Sequence, residues 1–334
     1  MSHRKLDRQK LMVLMLFALV VLELIGLGAL ALAGMEKEDA EKKTDTGTAE
    51  QMPEWLEPQK DPIEDMMEHR PTEDTLSAKD ILKSSPVVVH GMGAVDGVPI
   101  LNCKEGFLAQ YARGARVFEV DLRLTSDMEV VLRHDWRAKW QDGISEVSIP
   151  TLREFKARPI LGKYTPMSFR DLLELMMEYP DICIITDTKF TDPEIVTVQF
   201  QRMLETAREM KCTYLFDRMA IQVYTQLMYK VVSNLWDFPW YIYTLYAEGF
   251  ARTDYAFREK AEFCKENGIL GMTMWDYWWA PSYGPIAKEL GLMTFAHTVN
   301  DQEKAEQLLR DGIDAVYTDI LAPEDIHGAE RQQA

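Results

Sequence analysis

The feature of this sequence that most restricts its fold is a regular alternation of short apolar runs with amphipathic stretches after residue 83. The runs are rich in Val, Ile and aromatic residues, and most stretches between them have the apolar spacing of a helix. Eight runs show the pattern, at residues 87–90, 116–122, 182–189, 220–224, 240–246, 271–277, 292–299 and 315–319. Eight strand–helix units close a parallel sheet into an α/β (β/α)8 TIM barrel, which we predict here. A doubly wound open sheet is the alternative.

The beginning of the chain lacks this alternation. Residues 1–10 form a basic tail, and residues 11–34 are apolar with a single charge, Glu23. As a helix rising ~1.5 Å per residue, the apolar segment would cross the ~30 Å hydrocarbon layer, so we predict a transmembrane signal anchor. The basic tail predicts a cytoplasmic N-terminus, a single pass through the cell membrane and an extracytoplasmic domain. A cleaved signal peptide is the alternative, because residues 31–33, Ala-Leu-Ala, resemble a cleavage site.

Residues 35–83 are polar, acidic and interrupted by prolines, which predicts a flexible acidic linker. From Glu36 to Asp80 there are fifteen acidic and six basic residues, so this stretch carries -9 of the net charge of -17. The barrel domain would then occupy residues 84–325 and a short tail residues 326–334. Such an acidic chain repels phosphate backbones, which argues against nucleic acid as a partner.

The cysteine pattern sets a further limit. The chain has four cysteines and no C-x-x-C pair, which excludes a zinc knuckle and a disulfide-dense scaffold. We expect the four to be thiols: Cys103, Cys183, Cys212 and Cys264.

Ionisable residues are concentrated where the first predicted strands end. Six of them lie at or just after the first three runs: His90, Glu119, Asp121, His134, Asp187 and Lys189. Glu119 and Asp121 are two residues apart, so on a strand both carboxylates face the same side. With Asp187 they offer oxygen ligands suited to a hard divalent cation, Ca²⁺ or Mg²⁺. Two histidines and a lysine beside such a cation are the equipment of phosphoryl chemistry.

Each of these residues also has a purely structural interpretation. The two carboxylates of the second run could form ion pairs with Arg116 or Arg123, and Asp187 could pair with Lys189. The combination favours a functional site, because charged groups at the ends of apolar strands are costly to bury without a partner.

The stretch from His90 to Trp136 resembles the first half of a glycerophosphodiester phosphodiesterase domain. The similarity rests on a histidine–glycine start, an N-x-x-E helix opening at Asn102, the E-x-D strand, a T-x-D turn at Thr125 and a closing His-Asp. It continues through SIPTLREF, DTK, TVND and GIDAVYTD, and so covers about residues 85–325.

This resemblance implies roles for particular residues. His90 and His134 would be the acid–base pair, and Lys189 would contact phosphate. The cation would be bound by three carboxylates: Glu119, Asp121 and Asp187. We also expect Asn102 and Trp275 to bind substrate. A small insertion covering the substrate would span about residues 135–165.

The sequence departs from the family pattern in its DTK triplet at residues 187–189, where E-x-K is more usual, and at two further positions. The family begins His-Arg-Gly with a phosphate-binding arginine, whereas Gly91 follows His90 here. Arg133 is a candidate substitute, but as the neighbour of His134 it should point the other way. His297 stands where many relatives carry tryptophan.

The sequence therefore predicts a metal-dependent phosphodiesterase acting outside the cytoplasmic membrane, with a cyclic phosphate as a potential intermediate. Its substrate would be a small-molecule, lipid or polymer phosphodiester of the glycerophosphodiester type. The alternative, motivated by the missing arginine, is a catalytically weakened surface module that binds a phosphorylated ligand or a protein partner.

Overall fold

The structure, a computed structural model, describes residues 77–137, 140 and 142–327. In this part of the chain, nine strands form one sheet. They are β1 Val87–Val89, β2 Val117–Leu124, β3 Val130–Leu132, β4 Cys183–Asp187, β5 Met219–Val223, β6 Tyr241–Thr244, β7 Gly271–Trp275, β8 Met293–His297 and β9 Ala315–Thr318. Each of the eight predicted runs overlaps one of these strands, so the predicted strands are confirmed.

The sheet closes into a barrel because β1 has a neighbour on both sides. It pairs in parallel with β9 and also with β2, where Val89 lies opposite Phe118. The other parallel neighbours run β2–β4–β5–β6–β7–β8–β9 around the barrel. This closure of eight parallel strands confirms the predicted (β/α)8 fold and rules out the open doubly wound sheet.

β3 is an addition to the barrel that the alternation does not predict. It pairs antiparallel with β2, with Leu122 opposite Leu132. A tight turn joins the two strands, and in it the Thr125 N–H donates to Glu129 O at 2.9 Å. After β3, the Arg133 N–H donates to Asp121 O at 2.8 Å. The hairpin therefore places the residues that follow β3 beside the C-terminal end of β2.

Helices connect most of the parallel strands. Those in the described residues are α1 Ala78–Ser84, α2 Lys104–Ala112, α3 Leu152–Lys156, α4 Phe169–Glu178, α5 Pro193–Glu209, α6 Gln226–Leu235, α7 Asp254–Glu266, α8 Tyr283–Leu290 and α9 Gln302–Arg310. Polar caps fix where several of them begin. At α4, Ser168 Oγ accepts from the Asp171 N–H, and the Asp171 carboxylate accepts from the Ser168 N–H.

The predicted linker ends before residue 83, because its last residues form α1. Ser77 caps this helix by accepting a hydrogen bond from the Asp80 N–H. Ala78, Ile81 and Leu82 are buried at helical spacing. Three apolar residues in an otherwise polar stretch leave the composition linker-like, which is why the sequence places the boundary too late.

Side chains inside the barrel change from apolar to polar along the strands. α1 packs in one core cluster with the first residues of three strands, Val117, Cys183 and Ala315. Because side chains alternate along a strand, the next inward residues of β2 are Glu119 and Asp121. One end of the barrel is therefore apolar and closed by α1, and the other is polar. We call the end where the parallel strands finish the mouth.

The predicted insertion lies between β3 and α4 and contains α3. An ion pair is buried at its start, where Arg133 Nη1 lies 2.6 Å from Asp142 Oδ2 and the two side chains are 3% and 0% exposed. Arg133 Nε also donates to Asp135 O at 2.7 Å. Arg133 thus belongs to this buried pair, which agrees with its predicted direction away from His134.

All four cysteines lie in the described part and are free, buried thiols, as predicted. Within residues 77–137, 140 and 142–327, no helix combines the length and the apolar character needed to cross a bilayer. The predicted anchor at residues 11–34, most of the linker and the end of the C-terminal tail lie outside the described residues.

Candidate active site

Three side chains that could share a cation meet at the mouth. One potential ligand atom from each of His90, Glu119 and Asp121 lies within 4.8 Å of the others. Glu119 and Asp121 are almost fully buried inside β2, and His90 directly follows β1, the strand beside it. The sequence predicts the two carboxylates as ligands. The structure adds His90, to which the family resemblance gives a role in proton transfer.

Asp187 lies beside this group and is held by Lys189. β2 and β4 are in register, with Asp121 opposite Asp187. The Lys189 ammonium bridges the two strands, since it lies 2.6 Å from Asp121 Oδ1 and also contacts Asp187 Oδ2. The purely structural Asp187–Lys189 pair is therefore formed. A cation contact by Asp187 and a phosphate contact by Lys189 remain predictions.

Burial and the neighbouring carboxylates together set the pKa values in the cluster. Burial and then the Asp121 carboxylate raise the pKa of Glu119 to about 8. Burial disfavours the charged form of His90, but Glu119 and the hydrogen bond to Asp319 outweigh it and raise the pKa of His90 to about 9. Both shifts favour the protonated forms, and a cation would compete with these protons because metal ligands bind in their deprotonated form.

The residues present fit a hard divalent cation. Glu119 Oε1 and Asp187 Oδ1 are buried without a hydrogen-bond partner among the described residues. A buried carboxylate oxygen without a partner is costly, and Ca²⁺ and Mg²⁺ both prefer oxygen ligands. A cation held by these carboxylates would offset that cost. The same donors suit either ion.

Each of the two histidines is oriented by a carboxylate at Nδ1. His90 Nδ1 lies 2.8 Å from Asp319 Oδ1, and Asn300 donates to Asp319 Oδ2 at 2.7 Å. His134 Nδ1 lies 2.9 Å from Asp135 Oδ2. A carboxylate that accepts from Nδ1–H fixes the tautomer and leaves Nε2 as the nitrogen for proton transfer or cation binding.

The sequence interpretation does not assign a role to Asp319, Asn300 or Asp135. Two of these residues lie in motifs that the sequence does show, since Asn300 belongs to TVND and Asp319 ends GIDAVYTD. His90 and Asp319 are 229 residues apart, however, and they meet only because β1 and β9 close the barrel.

We expect Asp319→Asn to lower turnover of a phosphodiester by about 10- to 100-fold, the usual value of an outer partner that orients a metal-site histidine. Asparagine has nearly the same shape as aspartate but lacks the negative charge that lies beside Nδ1 of His90. Asp325→Asn is the matched control, since Asp325 pairs with Arg113 outside the site. Rates measured under saturating cation within twofold of the parent would show that Asp319 does not orient a functional His90.

Asn102 is fully buried and binds Asp121 with both ends of its amide. Its Nδ2 donates to Asp121 Oδ2 at 2.6 Å, and its Oδ1 accepts from the Asp121 N–H at 2.9 Å. Asn102 therefore positions the Asp121 carboxylate, and its contact with substrate remains a prediction.

Trp275 lies at the mouth, at the end of β7, where it remains 37% exposed. Its ring centroid is 5.3 Å from that of Tyr246 and 4.6 Å from that of His297. Burial and then the charges of His90 and Lys189 lower the pKa of His297 to about 3, so this imidazole is neutral. Trp275 therefore lies exposed at the mouth beside a neutral histidine, and its contact with substrate remains a prediction.

The arginines proposed as partners of the β2 carboxylates do not pair with them. Arg116 Nε lies 2.6 Å from Asp181 Oδ2. The Arg123 Nε donates to His134 O at 3.1 Å, and its guanidinium stands 5.0 Å from the centre of the Phe190 ring. The ion-paired interpretation of Glu119 and Asp121 with these arginines is therefore wrong.

The backbone at Gly91 explains why no arginine follows His90. Gly91 has φ +54°, and a Cβ at this position would lie 2.8 Å from Ile100 Cα. Its N–H donates to Glu119 Oε2 at 2.7 Å. A side chain at position 91 would be strained at this φ and would clash with the backbone of the neighbouring loop.

Fold and site together define an α/β barrel with a candidate cation centre at its C-terminal mouth. No protein-family model matches the sequence. Among solved structures, the chain shares its fold with a phosphodiesterase from Oleispira antarctica in complex with the product sn-glycerol-3-phosphate, at 18% identity and a TM-score of 0.59 over 75% of this chain and 98% of that one.

Two further solved structures have the same fold. A glycerophosphodiester phosphodiesterase from Parabacteroides distasonis matches with 21% identity and a TM-score of 0.57, over 72% of this chain and 94% of that one. The glycerophosphodiester phosphodiesterase of Thermotoga maritima matches with 20% identity and a TM-score of 0.52, over 70% and 94%. This protein therefore has the barrel fold of the glycerophosphodiester phosphodiesterases.

Proposed function

We propose that this protein is a cation-dependent phosphodiesterase that cleaves glycerophosphodiester-type substrates at the mouth of its barrel. The observation that carries the proposal is the meeting of His90, Glu119 and Asp121 within 4.8 Å at the strand ends. The shared fold supports it, because barrel enzymes place their chemistry at the C-terminal ends of the strands. The solved neighbours include a phosphodiesterase that holds sn-glycerol-3-phosphate.

The protons would be moved by the two histidines. One imidazole takes the proton of the attacking hydroxyl, and the other gives a proton to the leaving alkoxide oxygen. Asp319 and Asp135 hold the two rings by Nδ1, so Nε2 is the reacting nitrogen of each. The attacking hydroxyl is either water or a neighbouring hydroxyl of the substrate, and the latter gives a cyclic phosphate.

Glu119 and Asp121, with Asp187 beside them, would hold the divalent cation. When bound, the cation supplies Lewis-acid polarisation of the phosphate. Lys189 lies against the same carboxylates and adds positive charge next to them. In this proposal the aromatic side chain of Trp275 contacts the polyol or headgroup.

The alternative, a weakened binding module, has less support. Its motivation is the missing arginine at Gly91, yet the carboxylates are still buried and each histidine still has a carboxylate partner. Buried charges of this kind are costly to keep without a use.

A chromogenic comparison tests the proposal. The full-length protein in detergent should release p-nitrophenol from bis(p-nitrophenyl) phosphate with Ca²⁺ or Mg²⁺, and much more slowly from p-nitrophenyl phosphate, a monoester. EDTA should stop the reaction. Absence of cleavage under every cation, both of this diester and of glycerophosphocholine, which carries a neighbouring hydroxyl, would favour the binding module if the protein still binds inorganic phosphate.

We also propose that residues 11–34 anchor the protein in the cell membrane with the barrel outside. The support is the length and apolar character of that segment, with the basic residues before it. The full-length protein should remain in membranes washed with sodium carbonate. Recovery in the wash with Met1 intact would contradict the anchor.

A further inference from the structure

Arg123 is a cationic side chain at the mouth that forms no ion pair with any residue in the described part of the chain. It follows Glu119 and Asp121 at a spacing of two on β2, so it lies on the same face of the strand, one step nearer the exit. Among the described residues, its only hydrogen bond is the one from Nε to His134 O. No carboxylate oxygen of those residues lies within 4.0 Å of its guanidinium, although Asp121 is two residues away.

The other cations near the site are already engaged. Lys189 bridges Asp121 and Asp187, and Arg133 is bound to Asp142 in a buried pair. Arg123 differs from both because it forms no close ion pair with a described residue, and the surrounding carboxylates, Asp121 first, act on it only from a greater distance. Partial burial of a guanidinium costs free energy of desolvation. A bound anionic ligand would offset this cost by accepting hydrogen bonds from the guanidinium.

The guanidinium of Arg123 is also held in place. The Phe190 ring lies against it at 5.0 Å, and the His134 carbonyl fixes Nε. A guanidinium has five N–H donors in a planar fork, so four remain after the bond from Nε. This fork matches the oxygens of a phosphate, which it binds bidentately. Its position beside the backbone of His134 places it next to a histidine that the proposed function assigns to proton transfer.

Position 91 cannot provide this contact, since a Cβ there would meet Ile100 Cα at 2.8 Å. We propose that Arg123 binds a non-bridging oxygen of the substrate phosphodiester, and so supplies from β2 the guanidinium that Gly91 cannot carry. This inference rests on the proposed function.

The test compares Arg123→Met and Arg123→Lys with the parent, all as full-length protein. Methionine keeps an apolar side chain against Phe190 but removes the donors, whereas lysine keeps the charge without the fork. Arg258→Met is the matched control, because Arg258 pairs with Glu289 on the outside of the barrel. Two quantities are measured: KM and kcat for bis(p-nitrophenyl) phosphate, and the dissociation constant of inorganic phosphate by calorimetry.

We expect Arg123→Met to weaken phosphate binding and raise KM by about 10- to 100-fold, the range of a hydrogen bond to a charged group. Arg123→Lys should fall between this variant and the parent. Free guanidinium ion in the buffer should restore part of the lost kcat/KM of Arg123→Met, which a merely structural role would not allow. The control should match the parent.

Unchanged phosphate affinity and KM in Arg123→Met, with the parent active, would overturn the role of Arg123 and leave the proposed function standing. If the parent cleaves no phosphodiester but phosphate binding still depends on Arg123, the proposed function fails and the anion contact stands. A Met variant that loses affinity without any rescue by guanidinium, together with a lysine variant that loses as much, would also count against the contact.

Discussion

Replacing His134 with alanine is expected to lower phosphodiester turnover by ~10²- to 10⁴-fold, the usual contribution of a positioned acid or base. His134 gives the cleaner test of the two histidines, because it lies outside the group formed by His90, Glu119 and Asp121. Its Nδ1 is bound to Asp135, and its side chain is 35% exposed, so Nε2 is the nitrogen open to a substrate. Loss of the ring should not disturb folding or the cation.

The measurement is kcat/KM with saturating cation, together with the cation concentration that gives half of the full rate. For His134→Ala we expect kcat/KM to fall and the half-saturating cation concentration to stay the same. For His90→Ala, kcat/KM should fall by a similar factor with cation affinity little changed, because the proposal gives the cation to the carboxylates and proton transfer to Nε2 of His90. His327→Ala is the control, since its backbone N–H donates to Glu306 near the end of the described chain. Parent-like rates in both site variants, on a substrate that the parent cleaves, would refute the acid–base assignment.

The second large effect is expected from Asp121→Asn. Asp121 is fully buried, lies within the cation group and contacts Lys189. Loss of an outer partner of a metal ligand already costs about 10- to 100-fold in affinity or activity. Loss of the ligand itself should therefore raise the half-saturating cation concentration by more than ~10²-fold. Turnover should fall with it.

Asp181→Asn is the matched control, because it also removes a carboxylate from an ion pair, with Arg116, but outside the barrel mouth. Cation titrations of activity should separate the two variants. A half-saturating concentration in Asp121→Asn equal to that of the parent would place the cation elsewhere. Activity in the parent that survives EDTA and dialysis would argue against any cation in the reaction.

Much of the fold could be predicted because the signals are local. The inward and outward faces of a strand alternate every two residues, and the connecting helices show their own period, so the eight runs identify the barrel strands without a structure. The same argument placed Glu119 and Asp121 on one face and turned Arg133 away from His134. β3 was not predicted because the alternation identifies strands joined by helices, whereas β3 follows β2 directly across a tight turn.

The side-chain partners could not be predicted, because they depend on which strands meet. Asp319 orients His90 across the seam where β9 joins β1, and no local pattern reports this contact. Whether Arg123 pairs with the β2 carboxylates was equally open from sequence. In the structure, Lys189 pairs with Asp121. Phe190 and the His134 carbonyl hold the Arg123 guanidinium away from the β2 carboxylates.

The most direct test of the account is phosphorus NMR of glycerophosphocholine incubated with the full-length protein and either Ca²⁺ or Mg²⁺. The proposal predicts that the diester resonance disappears and that the resonance of a phosphomonoester or a five-membered cyclic phosphate replaces it. EDTA should prevent this change, and His134→Ala should slow it by ~10²- to 10⁴-fold. A diester resonance that persists with each cation, for this substrate and for other glycerophosphodiesters, would contradict the assignment of the barrel mouth as a phosphodiesterase site.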